Sequence, residues 1–164
     1  MLMLAVLLCG FGCARTTVTD GLPLDHEPGD ISAEMSYWHD LADRPVTTNN
    51  EALHGLIVFA EGADPNKTYD ERVMWLKERG HLSADFDGAA DAAAERGRIA
   101  QVLAGMMDVK GGLTMRVLGP HPRYALRELV HLEIMKPGSA QQGLPGIEFV
   151  GIVSRAEQFL ETGT

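Results

Sequence analysis

Cysteine is almost missing from this chain: Cys9 and Cys13 are the only two, both within the first 13 residues. Past that point no disulfide braces the fold, and no thiol can serve as nucleophile or zinc ligand. Basic residues are also scarce, 14 Lys and Arg against 23 Asp and Glu, for a net charge of −9. Such a field repels nucleic-acid phosphate and anionic lipid headgroups, which argues against both as partners. Alternating runs rich in Val, Ile and Thr are nearly absent, which argues against a sheet. There is no Gly-x-Ser-x-Gly elbow. The "KGG" at 110–112 has its glycines after the lysine, the reverse of a phosphate-binding loop.

What is present begins with "MLMLAVLLCGFGC", an uncharged apolar run ending in cysteine. A bilayer-spanning helix needs about 20 apolar residues, so this run is too short to cross a membrane and fits the apolar region of a signal peptide. Gly12 directly before Cys13 resembles a bacterial lipobox, which makes Cys13 the expected lipidation residue. Residues 14–30, with two prolines, two glycines and four acids, have the composition of a polar tether. The remainder, 31–164, suffices for one domain with a sizeable core.

The pattern of that domain predicts an all-α fold of six main helices. The first covers about 32–43, with Ser32 as its cap. The second covers about 49–61, capped by Thr48 or Asn49 and closed by Gly62. Thr68 and Glu71 have capping-box spacing and open the third, about 68–79, which Gly80 ends. The others cover about 91–108, 121–134 and 145–161, and 111–119 has room for one more turn. The helices fall into three similar hairpin units. Leu53, Leu56 and Ile57 form one apolar stripe, Ile99, Val102 and Leu103 repeat it 46 residues later, and Phe149, Ile152 and Val153 repeat it again. Pairs in the first helix of each unit agree: Trp38 and Leu41, Val73 and Leu76, Leu126 and Leu129.

The stretch "RVMWLKERGHLSADFDGAADAAAERGRIAQVL", 72–104, resembles one repeat of a surface-layer homology (SLH) domain. Gly80-His81-Leu82 is similar to the Gly-hydrophobic step that ends the first helix of such repeats. Arg96 to Leu103 is similar to their second helix, which opens on a Thr-Arg-Gly/Ala-Glu-like motif. Glu148-Phe149 and Arg155-Ala156 carry part of the pattern in the third unit. Asn49-Asn50 and Pro145-Gly146 stand where the other two units would carry the motif arginine, so only Arg96 matches it by position. The resemblance implies a noncatalytic helical module that binds cell-wall polysaccharide between repeats, with Arg96 as a candidate ligand-binding residue; Arg98, at the same helix start where an anion is favoured, is the second candidate.

Six histidines, His26, His39, His54, His81, His121 and His131, show no i, i+4 zinc spacing. They are expected to be solvated or capping, with no metal and no cofactor. Asp85, Asp87 and Asp91 around Gly88 lack EF-hand spacing and read as turn residues. Trp38 and Trp75 read as packing residues, with a sugar-stacking platform as the alternative. Arg123 and Arg127 form a second small basic cluster. No acid–base set emerges, so the chain is not expected to be an enzyme. The expectation is an exported, lipid-anchored protein of the bacterial cell envelope, structural or binding wall glycan. The alternative is a scaffold for envelope proteins, with a small hydrolase ranked below it.

Overall fold

Helix starts show most directly how local chemistry builds this fold. The structure, a computed structural model, describes residues 17–109 and 121–163. The leader-like segment with Cys13, "KGG" and the turn expected within 111–119 lie outside the described residues. Among the described residues six helices are formed: α1 Ile31–Ala42, α2 Asn49–Glu61, α3 Tyr69–Glu78, α4 Arg96–Met106, α5 Pro122–His131 and α6 Gly146–Thr162. Between them the described residues make isolated bridges but no strand, so the fold is all-α.

α2 and α3 open on complete capping boxes, Thr48 with Glu51 and Thr68 with Glu71, and Gly62 closes α2 in the left-handed conformation. α1 is capped by Asp30, whose carboxylate accepts from the Ser32 and Ala33 amides; Ser32 lies inside the helix rather than at its cap. α4 starts at Arg96 rather than near 91, because 92–95 are drawn into backbone pairing with distant segments.

That pairing closes a ring. The Thr47 amide donates to the Leu144 carbonyl (2.7 Å), the Leu144 amide to Ala94 (3.1 Å), and the Ala94 amide to Thr47 (2.9 Å). Each of these residues lies two positions before the first residue of α2, α4 or α6. A second set follows: the first amides of those helices, at Asn49, Arg96 and Gly146, donate to the carbonyls of Ala92 (2.8 Å), Gln142 (2.8 Å) and Arg44 (3.0 Å). The orphan N–H groups of a helix start need partners. α4 and α6 have no side-chain cap, and a neighbouring loop's carbonyls supply what is missing.

Helices pack as α1 on α6, α2 on α3 and α4 on α5, with α2 also touching α4 and α6. The main packing pairs therefore run across the boundaries of the expected hairpins, not within them. The three stripes face the common core: none of Leu53, Leu56, Ile57, Ile99, Val102, Leu103, Phe149, Ile152 and Val153 is more than 4% exposed. Leu41, Leu76 and Leu129, one from each first helix, are fully buried.

Residues 17–30 do not behave as the polar tether that their composition suggests. Leu24 is buried in the core and Leu22 packs on it. The Val18 amide donates to the Asp91 carbonyl (2.9 Å), and the Leu22 amide to the Glu51 carboxylate (3.0 Å). The two leucines within this acidic, proline-containing stretch anchor it to the domain.

Candidate functional site

α2 is buried on nearly every side. A Cβ on its central Gly55 would come within 2.8 Å of the Tyr37 hydroxyl and 2.9 Å of the Phe149 and Trp38 rings. His54, beside that glycine, is only 2% exposed. The expectation of solvated or capping histidines fails at this residue. It succeeds at His39 and His131, which are exposed, and at His121, whose ring accepts from the Arg123 amide at the start of α5 (3.4 Å).

His54 joins a chain of polar groups drawn from four segments. Its Nδ1 lies 2.8 Å from Oδ2 of Asp64, in the loop after α2. Asp64 is itself buried and accepts from the Asn66 amide (2.9 Å) and the Asn66 side chain (2.7 Å). Arg72 of α3, 2% exposed, donates its Nε–H to the same Asp64 oxygen. Its remaining donors reach Asn50 Oδ1 (2.9 Å), the Asn66 carbonyl (2.9 Å) and the Leu24 carbonyl (3.4 Å). Burial pushes the Asp64 carboxyl up. The hydrogen bonds from His54 and Arg72 outweigh burial and hold it at about 2, so it is a carboxylate.

On the far side of the imidazole, His54 Nε2 is 3.4 Å from Oε1 of Glu34 on α1, and it has no hydrogen-bond partner. The same Glu34 oxygen is 2.8 Å from Nε2 of His26, in the docked segment before α1. The other Glu34 oxygen, Oε2, is buried and unpartnered. One donor atom from each of His26, Glu34 and His54 therefore falls within 4.8 Å of the others, an arrangement able to hold a metal ion. Tyr37 walls the cluster, its ring edge-on to His54 at 4.6 Å between centroids. Burial raises the Tyr37 phenol well above its ordinary value, so it remains a neutral donor to the Glu51 carbonyl (2.7 Å). The three metal-capable residues come from three segments, so no local spacing announces them. The one available signal is the unbroken "LHGLI" of α2, which implies burial all round and a polar ring within it.

A second feature is a cleft of about 440 Å³ beside α5. Arg123, Leu126, Arg127 and Val130 line it from the helix, and the loop 137–141 lines it from the other side. Its volume falls within the about 300–1,000 Å³ of ordinary ligand pockets. Both arginines are exposed and Leu126 is buried, giving an apolar floor under two cations.

Arg96 supports this cleft from behind. It is 3% exposed, and its guanidinium donates to the Lys136 carbonyl (2.9 Å) and to Glu148 Oε2 on α6 (2.7 Å). A Cβ on Gly138, which lines the cleft, would come within 2.9 Å of Arg96 Nε. Arg96 thus clamps the loop rather than facing a ligand. The start of α4 is not an open anion site either, since the Arg96 and Gly97 amides already donate to Gln142 and Ala140. Arg98 is half-buried, donates to Gln101 (2.8 Å) and lies over the Phe86 ring at 5.3 Å. The space it shares with Asn49, Asp87 and Glu95 is small, about 30 Å³.

The tryptophans are packing residues. Trp38 stacks on Phe149 at 6.3 Å between ring centroids, and Arg79 lies 3.7 Å over Trp75. Asp85 accepts from the Ser83 hydroxyl, the contact that most lowers its carboxyl pKa, as befits a turn residue. No family model, curated protein or solved structure matches this chain.

Proposed function

We propose that this chain is a noncatalytic, lipid-anchored module of the bacterial cell envelope that binds an anionic wall glycan in the α5 cleft. The cleft carries the reading. Two exposed arginines stand over an apolar floor in a protein whose overall charge is −9, so attraction to an anion must be local. The closed ring of three hydrogen bonds at matching positions supports treating the domain as three SLH-like repeats, with the cleft lying in the third, between its first helix and the loop that follows.

The test is co-sedimentation with purified anionic wall polymer. The pair Arg123→Glu and Arg127→Glu is expected to weaken binding at least tenfold, with the far-UV circular dichroism spectrum unchanged. Binding insensitive to both would remove the cleft from the account. The anchor is checked separately. Cys13→Ser is expected to shift most of the protein from the membrane to the soluble fraction, and an unchanged distribution would refute lipidation at that residue.

A scaffold for envelope proteins is the second reading. It is favoured by Ile31 (75% exposed) and Met35 (69% exposed), four residues apart on one face of α1.

A further inference from the structure

We propose that His26, Glu34 and His54 form a binding site for a divalent first-row transition-metal ion of the zinc class, with Asp64 orienting His54 from behind. The argument starts from two orphaned atoms at one place. His54 Nε2 and Glu34 Oε2 are both buried and both lack a hydrogen-bond partner. A buried polar atom left unpaired is destabilising, because it has given up water and gained no partner. Two such atoms on facing side chains, beside a third donor on His26, call for one species that satisfies all three.

A proton cannot do this. Added to His54 Nε2, it links only His54 and Glu34 and leaves His26 where it was. A cation with several coordination positions can. The donor set of two imidazoles and one carboxylate suits zinc and its neighbours, with a fourth position left for water. Zinc–nitrogen and zinc–oxygen bonds of about 2.0–2.2 Å put tetrahedral ligand atoms about 3.4 Å apart. The Glu34 Oε1 to His54 Nε2 distance is 3.4 Å and the Glu34 Oε1 to His26 Nε2 distance is 2.8 Å. The remaining adjustment falls to His26, which lies in a surface segment.

The surroundings follow the pattern of metal-ligating histidines. Such residues donate their second ring N–H to a carboxylate, which fixes the tautomer and aims the free lone pair at the metal. Asp64, held in place by Arg72 and Asn66, fills that role for His54 Nδ1. His54 is immobile within buried α2, Glu34 comes from α1, and His26 belongs to the docked 17–30 segment. A bound ion would therefore tie that segment to two helices. This site is independent of the α5 cleft and of the function proposed for it.

The experiment uses the full chain without an affinity tag, stripped with chelator and titrated with Zn2+ against a chromophoric competitor, then with Co2+. One ion per chain is expected, with visible Co2+ absorption of low-symmetry four-coordinate type that Zn2+ abolishes. His26→Gln and Glu34→Gln, both outside the core, are each expected to weaken Zn2+ binding at least tenfold while leaving the far-UV spectrum intact. Cys9 and Cys13 are common to every chain compared, so their contribution cancels. Wild-type affinity equal to that of the His26→Gln, Glu34→Gln double variant overturns the proposal. So does a Co2+ spectrum indistinguishable from the aqueous ion.

Discussion

Replacing Arg72 with leucine is expected to lower the unfolding free energy by about 3–5 kcal/mol, the usual loss when one partner of a buried ion pair is removed. Arg72 is 2% exposed and supplies donors to Asp64, Asn50, Asn66 and Leu24. Without it Asp64 keeps His54 and Asn66 but loses the charge that balances it. Denaturant titration at neutral pH checks this through the midpoint, with the slope unchanged. A loss under about 1 kcal/mol would place the pair with ordinary surface ion pairs. The same residues set an acid dependence. Asp64 titrates at about 2 when folded and at 3.8 as a free carboxyl. Its depressed folded value means its contribution is present above pH 3.8 and is lost as the pH falls through about 2. The Arg72→Leu chain is expected to show a shallower fall in stability over that window than the wild type.

Arg72 also shows where sequence reasoning stops. Nothing near it in sequence names Asp64 or the Leu24 carbonyl as its partners. Features set within four residues were legible: the Thr48–Glu51 and Thr68–Glu71 boxes, the Gly62 stop and the three apolar stripes. Features set by remote backbone were not. The start of α4 was placed too early because the carbonyl that caps it belongs to Gln142. The composition of 14–30 predicts a tether because its average hides Leu22 and Leu24. Arg96 was singled out by likeness to a motif; the fold uses it to brace the cleft wall that Arg123 and Arg127 share.

Gly146→Ala is the second large effect, and its cause is steric. A methyl group there would be driven into the Leu41 carbonyl oxygen at the end of α1, with the Arg44 Cβ 3.2 Å away. Backbone cannot rotate aside as a side chain can, so α6 would have to lift from α1. It would lose the Gly146 hydrogen bond to the Arg44 carbonyl (3.0 Å) as it did so. Overpacking typically costs about 1–3 kcal/mol, and with main chain as the obstacle we expect the upper end or beyond. For a domain of this size that is a fall in Tm of roughly 6–12 °C by calorimetry. Gly151→Ala in the same helix meets only the tip of Arg155, its nearest atom 3.2 Å away, and is the matched comparison. It is expected to be neutral or to gain up to about 1 kcal/mol from helix propensity. Equal effects at the two positions would mean that the α1–α6 contact is not a close one.

The hydrogen-bond ring through Thr47, Ala94 and Leu144 bears on how the chain acquires its structure during synthesis. The turn that starts α2 relies on carbonyls made some 40 residues later, the turn that starts α4 on the loop before α6, and the turn that starts α6 on residues just after α1. No third of the domain is complete by itself, and the last link joins residue 146 to residue 44. Such long-range closure slows folding relative to bundles built from neighbouring helices. A nascent chain would carry the exposed stripes of α2 and α4 until α6 leaves the ribosome, the period in which aggregation or a holding chaperone competes for them.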